Sequence, residues 1–267
     1  MIESMTKSPK ILLLDIETAP KVAYVWKFWK EHVSPDKVIS DGYIMSVSWR
    51  WFGEEAVHAI DGRHSEGYDY LLAYTLRNLL DACDVAIAHN AKKFDLPLLN
   101  ARCLIHGILP PSPYQIIDTL DVARKKFRFD NNSLGYLSRL LGCEAKSDHK
   151  KFPGFTLWSE CMSGNQDAWD EMVEYNKQDV VVLCDVYNKL RPWIDNHPNV
   201  ANMPSKVFAH TCPKCGSHEV QKRGVYNTAV SVFQRYRCNS CGGWGRSREN
   251  LRLGSERKNL LTNARVF

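Results

Sequence analysis

The chain has 267 residues, 44% hydrophobic and 24% charged, the balance of an ordinary soluble globular protein with room for one large domain and a small module. No apolar run approaches the roughly 18 residues needed to cross a bilayer, and the first ten residues lack a signal peptide's apolar segment, so no membrane partner and no secretion are expected. The formal charge of +5 is uneven: from Met203 onward twelve Lys/Arg face three Asp/Glu, a net of +9, while the preceding 202 residues carry 23 against 27, a net of −4. Such a basic block suits nucleic acid, with a solvated basic surface as the alternative. Cys83, Cys103, Cys143, Cys161 and Cys184 stand singly among apolar neighbours and read as small buried hydrophobes in a reducing, cytoplasmic setting.

In chain order, the aliphatic run at residues 11–14 predicts a short strand buried on both faces, as at the centre of a mixed or parallel sheet. Side chains alternate along a strand, so Asp15 and Glu17 share one side at its end. Two carboxylates beside an apolar core repel each other and resist desolvation. A bound divalent cation relieves both; a capping or ion-paired Asp15 with a solvated Glu17 is the other reading. Residues 21–37 interleave Tyr24, Trp26, Phe28 and Trp29 with lysines. Two readings stand: the rings stack the bases of a single strand, or Trp26 and Trp29 pack a short helix onto the sheet.

Residues 44–52 and 56–60 predict a hairpin, and residues 71–80 a helix with Leu71, Leu72, Leu76, Leu79 and Leu80 on one face. A strand at 84–88 runs into a helix at 96–107, with Pro97 tolerable in its first turn and Asp95 at the strand-to-helix junction. A strand at 114–118 and a basic stretch lead to a helix capped by Asn132 or Ser133, with Leu134, Leu137, Leu140 and Leu141 inward and Gly142 closing it. Residues 145–158 read as a loop at a cleft mouth. A capping box at 163–166 opens a long helix to about Leu190, stopped by Pro192, on which Tyr175 and Asp179 lie one turn apart.

Pro198 and Pro204 mark a linker at residues 196–205, between a domain at 1–195 and a basic module and tail at 206–267. In that module Cys212-Pro-Lys-Cys215-Gly216 and Cys238-Asn-Ser-Cys241-Gly242, 22 residues apart, offer four thiolates for one tetrahedral zinc. Cys-x-x-Cys redox chemistry is the alternative, weakened because the pairs bracket a strand-rich segment at 226–237. A module this small has little core, so the metal would supply much of its stability.

Asp15-Ile-Glu17, then Asn90 and Asp95 joined through Lys93-Phe94, then Tyr175-x-x-x-Asp179 resemble, in order, the three motifs of the DEDD exonuclease superfamily. The tyrosine places the likeness in the subclass of polymerase proofreading domains and ribonuclease D. The histidine subclass would need a His five residues before the last Asp, where this chain has Glu174. The likeness spans roughly residues 10–192 and includes Asp118-Thr119-Leu120. It implies an α/β fold, a ribonuclease H-like mixed sheet flanked by helices, beside a C-terminal zinc ribbon. It implies two Mg²⁺ or Mn²⁺ ions on Asp15, Glu17, Asp95 and Asp179, with Tyr175 orienting the attacking water. The activity implied is 3′-to-5′ exonuclease action on single-stranded ends, DNA preferred over RNA. Thr18, Ala19, Trp26, Asn90, Phe94, Arg235 and Arg237 are the expected nucleic-acid contacts, and the zinc ribbon would hold nucleic acid or a replication or repair protein. A ribonuclease of the same fold and a non-catalytic nucleic-acid-binding adaptor are the alternatives.

Overall fold

The computed structural model describes residues 8–65, 67–143, 149–203 and 210–264. The chain divides into two compact units, one spanning Lys10–Lys189 and one beginning at Leu190. Residues 145–148 of the expected loop, 204 and 205 of the expected linker, and 206–209 of the expected module lie outside the described residues. Among the described residues no helix is long and apolar enough to cross a membrane.

The first unit is built on β1, Ile11–Thr18, whose Leu12, Leu13 and Leu14 are wholly buried. After it come two short paired strands, β2 (Val22–Ala23) and β3 (Val38–Ser40), then β4 (Ile44–Trp51) and β5 (His58–Asp61). Helix α1 (Tyr70–Ala82), β6 (Val85–Ala88), α2 (Asp95–Ile105), β7 (Gln115–Asp118), α3 (Thr119–Lys126), α4 (Leu134–Leu140), α5 (Thr156–Met162) and α6 (Gln166–Leu190) follow. The main sheet has the order β5-β4-β1-β6-β7. β1 sits at its centre, antiparallel to β4 and parallel to β6, which makes the sheet mixed. A strand covered on both faces needs apolar side chains on both, hence four aliphatics in a row rather than an alternation.

The faces separate cleanly. Leu12, Leu14 and Ile16 pack with Leu72, Leu76 and Leu80 of α1 and Leu99 of α2. The opposite parity, Leu13, Asp15 and Glu17, faces the side of α6, as the bond from Asn176 to Asp15 requires. A second cluster under α5 and α6 holds Met45, Leu157, Cys161, Trp169 and Met172.

Four expectations are corrected. No helix carries Trp26 and Trp29, and the only helical turn described at 21–37 is a 3₁₀ turn at Pro35–Lys37; Trp26, Phe28 and Trp29 are 88%, 94% and 84% exposed, because the loop is organised by Glu31 instead. The Glu31 carboxylate accepts from the backbone N–H of Trp26 and Lys27 and pairs with Lys37, turning the acid inward and the rings outward. The basic stretch after Asp118, to which the sequence assigns no element, begins within α3, because the Asp118 side chain caps that helix at Leu120 and Asp121. The expected loop ends at Thr156, where α5 begins and buries Leu157 and Cys161. Leu71 and Leu140 point outward, at the margins of their helical stripes. The cap of α6 is Asn165, whose side-chain oxygen accepts from Asp167 and Ala168, while Ser163 bonds back to Glu160.

The second unit carries a three-stranded antiparallel sheet in the order β10-β9-β8, with β8 at Val220–Asn227, β9 at Val232–Cys238 and β10 at Trp244–Asn250, followed by α7 at Gly254–Lys258.

Candidate active site

Asp15 and Glu17 project from the last residues of β1, where the register with β4 slips between Glu17 and Thr18. Such a bulge re-aims side chains, and it falls where pairing gives way to loop. Ala19 continues the contact through its N–H to the Tyr43 carbonyl, 2.9 Å, and is buried, whereas Thr18 is half-buried. Asp179 comes from the middle of α6 and is 5% exposed. One carboxylate oxygen each from Asp15, Glu17 and Asp179 lies within 4.8 Å of the others. Residues more than 160 positions apart in sequence therefore converge on one point, and all three are carboxyl groups.

The scaffold of this point is polar. Opposite Asp15 and Glu17 on β4 stand Ser48 and Ser46, both fully buried. Ser46 Oγ donates to Asn176 Oδ1 at 2.8 Å, and Asn176 Nδ2 donates to Asp15 Oδ2 at 2.7 Å. Asn176, on α6, thus ties the neighbouring strand to the first acid and fixes its rotamer. Neither Asn176 nor Ser46 stood out in the sequence. The signal was a polar residue at a position where the α6 pattern demands an apolar one.

Asp95 stands apart from the three-acid group. It occupies the first position of α2, 4% exposed, and accepts a hydrogen bond from the Ile16 N–H of β1. Burial pushes its carboxyl up to about 7, and Asp118 nearby pushes in the same direction, against the N–H groups of Asp95 and Ile16. Asn90 makes this placement possible: its φ of 71° is left-handed, a conformation that asparagine tolerates better than most residues, and it turns the chain from β6 towards α2. Asp118 holds that turn by accepting from the N–H of Asn90 (2.9 Å) and Lys92 (3.1 Å). Phe94, the residue before α2, is 49% exposed.

Tyr175 is half-buried one turn before Asp179. Its ring meets His149 edge-on at 5.0 Å and Trp158 at 6.2 Å, and those two rings meet each other at 5.7 Å. His149 Nδ1 is 2.7 Å from the Phe152 carbonyl, which anchors the cluster to the turn before α5. A cavity of about 440 Å³ opens beside it, lined by Tyr175, His149, Lys151 and the acids Asp167, Asp170, Glu171 and Glu174.

In the second unit Cys212, Cys215, Cys238 and Cys241 form a group within 4.8 Å. The Sγ atoms of Cys212 and Cys241 are 3.6 Å apart, those of Cys215 and Cys238 3.7 Å. A tetrahedron with zinc–sulfur bonds of about 2.3 Å has edges of about 3.8 Å, so the four thiols fit that ion. Gly216 and Gly242, at φ of 75° and 74°, close the two knuckles with N–H bonds to the Cys212 and Cys238 carbonyls. Burial pushes the Cys212 and Cys215 thiols up, whereas at Cys238 the Cys241 and Ser240 N–H groups and the Cys215 thiol outweigh burial and bring it down to about 7. Arg235, Arg237 and Trp244 are exposed on the sheet beyond this cluster.

A family model described as RNase_H superfamily matches residues 43–191, a span that includes Asp95, Tyr175 and Asp179 and begins after Asp15 and Glu17. No curated protein matches the chain. Among solved structures the chain is similar to the family B DNA polymerase from the hyperthermophilic archaeon Pyrobaculum calidifontis, at 13% identity and a TM-score of 0.47. That similarity covers 68% of this chain and 25% of the polymerase, so the chain spans about a quarter of the protein it matches.

Proposed function

Since the chain belongs to the RNase H superfamily, we propose that it is a divalent-metal-dependent nuclease acting as a 3′-to-5′ exonuclease of the DEDD tyrosine subclass on single-stranded DNA ends. The observation that carries this reading is the convergence of Asp15, Glu17 and Asp179 within 4.8 Å. Like charges so close, one of them 5% exposed, are a poor arrangement without a cation, and hard carboxylate oxygens suit Mg²⁺ or Mn²⁺. Asp15, Glu17, Asp95 and Asp179 would hold the ions. Bound there, two divalent cations would lower the pKa of water and offset the negative charge that builds on the attacking and leaving oxygens.

The protein's own groups do the rest. Asn176 keeps Asp15 in one rotamer. Tyr175, braced by His149 and Trp158, orients the attacking water by a hydrogen bond; a phenol with an ordinary pKa of about 10 is too weakly acidic to act as a base near neutrality. Thr18, Ala19, Asn90 and Phe94 floor the terminal nucleotide. The exposed Trp26 loop, with lysines among its rings, stacks the bases that follow. The four cysteines hold one structural Zn²⁺ in a zinc ribbon, whose Arg235 and Arg237 add affinity for nucleic acid.

Polarity comes from the motif resemblance, and digestion of 5′-labelled and 3′-labelled strands of DNA and RNA tests it together with the choice of DNA over RNA. Stepwise shortening of the 5′-labelled DNA with Mg²⁺ or Mn²⁺, abolished in Asp15→Ala, is the expected result. Release of the 5′ label first would overturn the polarity, and faster loss of the RNA strand would make the protein a ribonuclease of the same fold.

A further inference from the structure

One face of the β8-β9-β10 sheet presents an arrangement that folding alone does not explain. On β9 and β10 the exposed positions alternate with more buried ones: Arg235 and Arg237 on one strand, Trp244, Arg246 and Arg248 on the other. The register sets Arg235 directly opposite Arg246. Like charges in directly opposed cross-strand positions are destabilising. Among the described residues neither has a carboxylate partner.

Both guanidinium groups are nevertheless held in place. Arg246 lies over the Phe233 ring at 4.0 Å and the Tyr226 ring at 5.5 Å, and its Nη1 donates to the Ser247 carbonyl. Arg235 lies over the Trp244 ring at 5.0 Å, with its Nε donating to the Arg223 carbonyl at 2.8 Å. Gly224, beside the Arg235 guanidinium, takes a φ of 69°, a left-handed conformation that favours glycine. Two flat cations on paired residues are thus immobilised on aromatic rings, with donors left over and, among the described residues, no carboxylate partner.

We propose that Arg235 and Arg246 form a phosphate clamp for the backbone of single-stranded nucleic acid. Planar guanidinium forks match phosphate oxygens bidentately, and their stacking removes most of the rotamer entropy that capture would otherwise cost. Trp244 and Tyr226, each 46% exposed, flank the clamp with ring surface for unpaired bases, which a duplex would not offer. Arg237, opposite Trp244, extends the positive strip along the same face. The clamp rests on the reading of the protein as a nucleic-acid enzyme.

The test is binding of a fluorescent oligothymidylate to the full chain in an Asp15→Asn background, over a range of salt concentrations. Each phosphate neutralised on a single strand contributes about 0.7 to the slope of log K against log salt, so with one phosphate held by each arginine, Arg235→Gln with Arg246→Gln is expected to lower the slope by about 1.4. Retained zinc content certifies the fold of the variant. An unchanged slope overturns the clamp. Arg235→Lys with Arg246→Lys keeps the charges, so a preserved slope with weaker binding is expected; wild-type affinity in that variant overturns the role assigned to stacking. Displacement of the oligonucleotide by polyglutamate at equal charge would assign the strip to an acidic protein and overturn the proposal. Metal-dependent cleavage by the wild-type protein is scored separately: cleavage with an unchanged slope sinks the clamp alone, whereas no cleavage and no binding sinks the underlying reading.

Discussion

Replacing Asn176 with alanine probes the connection between the fold and the acids. Asn176 is fully buried, receives the Ser46 hydroxyl at 2.8 Å and donates to Asp15 at 2.7 Å. A neutral hydrogen bond contributes about 1 kcal/mol net and one to a charged group about 1.5–3 kcal/mol, so losing both should destabilise the protein by about 3 kcal/mol. Urea unfolding at neutral pH measures this as a fall in midpoint at unchanged slope. The same variant should lose metal-dependent nuclease activity beyond its loss of stability, because Asp15 is no longer held in one rotamer. Asn188→Ala, at an exposed position of the same helix, is the control and should stay within about 0.5 kcal/mol of wild type. A loss below about 0.5 kcal/mol for Asn176→Ala would refute the tie between β4, α6 and Asp15.

Asp69 makes a second prediction. It is fully buried and accepts from Arg102, His106 at 2.7 Å and the Ile44 N–H at 2.8 Å, joining α2 to the start of β4. Burial pushes its carboxyl up, but the Arg102 and His106 bonds and the Ile44 N–H outweigh it and hold the carboxyl below its ordinary value. A depressed folded pKa means that the contribution is complete above the unfolded pKa and fades as pH falls through the folded one. Asp69→Ala should therefore cost about 3–5 kcal/mol near neutrality, and the gap from wild type should narrow in acid; a gap that is constant with pH would contradict the ionised pair. Removing zinc with a strong chelator should unfold the β8-β9-β10 unit, seen as rapid proteolysis after Arg235 and Arg246, with about one zinc released per chain. Protease resistance that survives complete loss of metal would show the four cysteines to be structural without it.

The sequence made the centre of the fold legible because its signals are strong and local. A run of four aliphatics can serve only a strand covered on both faces, and β1 is that strand. The order of acidic motifs and the two Cys-x-x-Cys pairs were visible for the same reason: chemistry restricts residue type more tightly than packing does. Less legible were elements whose existence depends on a distant partner. Helix α3 reads as a basic stretch because only Thr119, Leu120 and Ala123 are buried, and its start is fixed by the Asp118 side chain. Helix α5 is seven residues long with two buried side chains, too short for a period to appear. The Trp26 loop looked like a helix face by spacing, and nothing local announced that Glu31 would take the inside. Asn176 escaped notice because its partners, Ser46 and Asp15, lie 130 and 161 residues away.

The most direct measurement is hydrolysis of a 5′-labelled single-stranded oligonucleotide as Mg²⁺ or Mn²⁺ is titrated, comparing wild type with Asp179→Asn, a near-isosteric change on α6 that removes one charge from the three-acid group. The expected result is saturable, metal-dependent shortening by the wild type and loss of at least about 100-fold in the variant, the scale of removing one group that stabilises developing charge. Shortening that proceeds without added metal, or at equal rates in both proteins, would contradict an active site built from Asp15, Glu17 and Asp179.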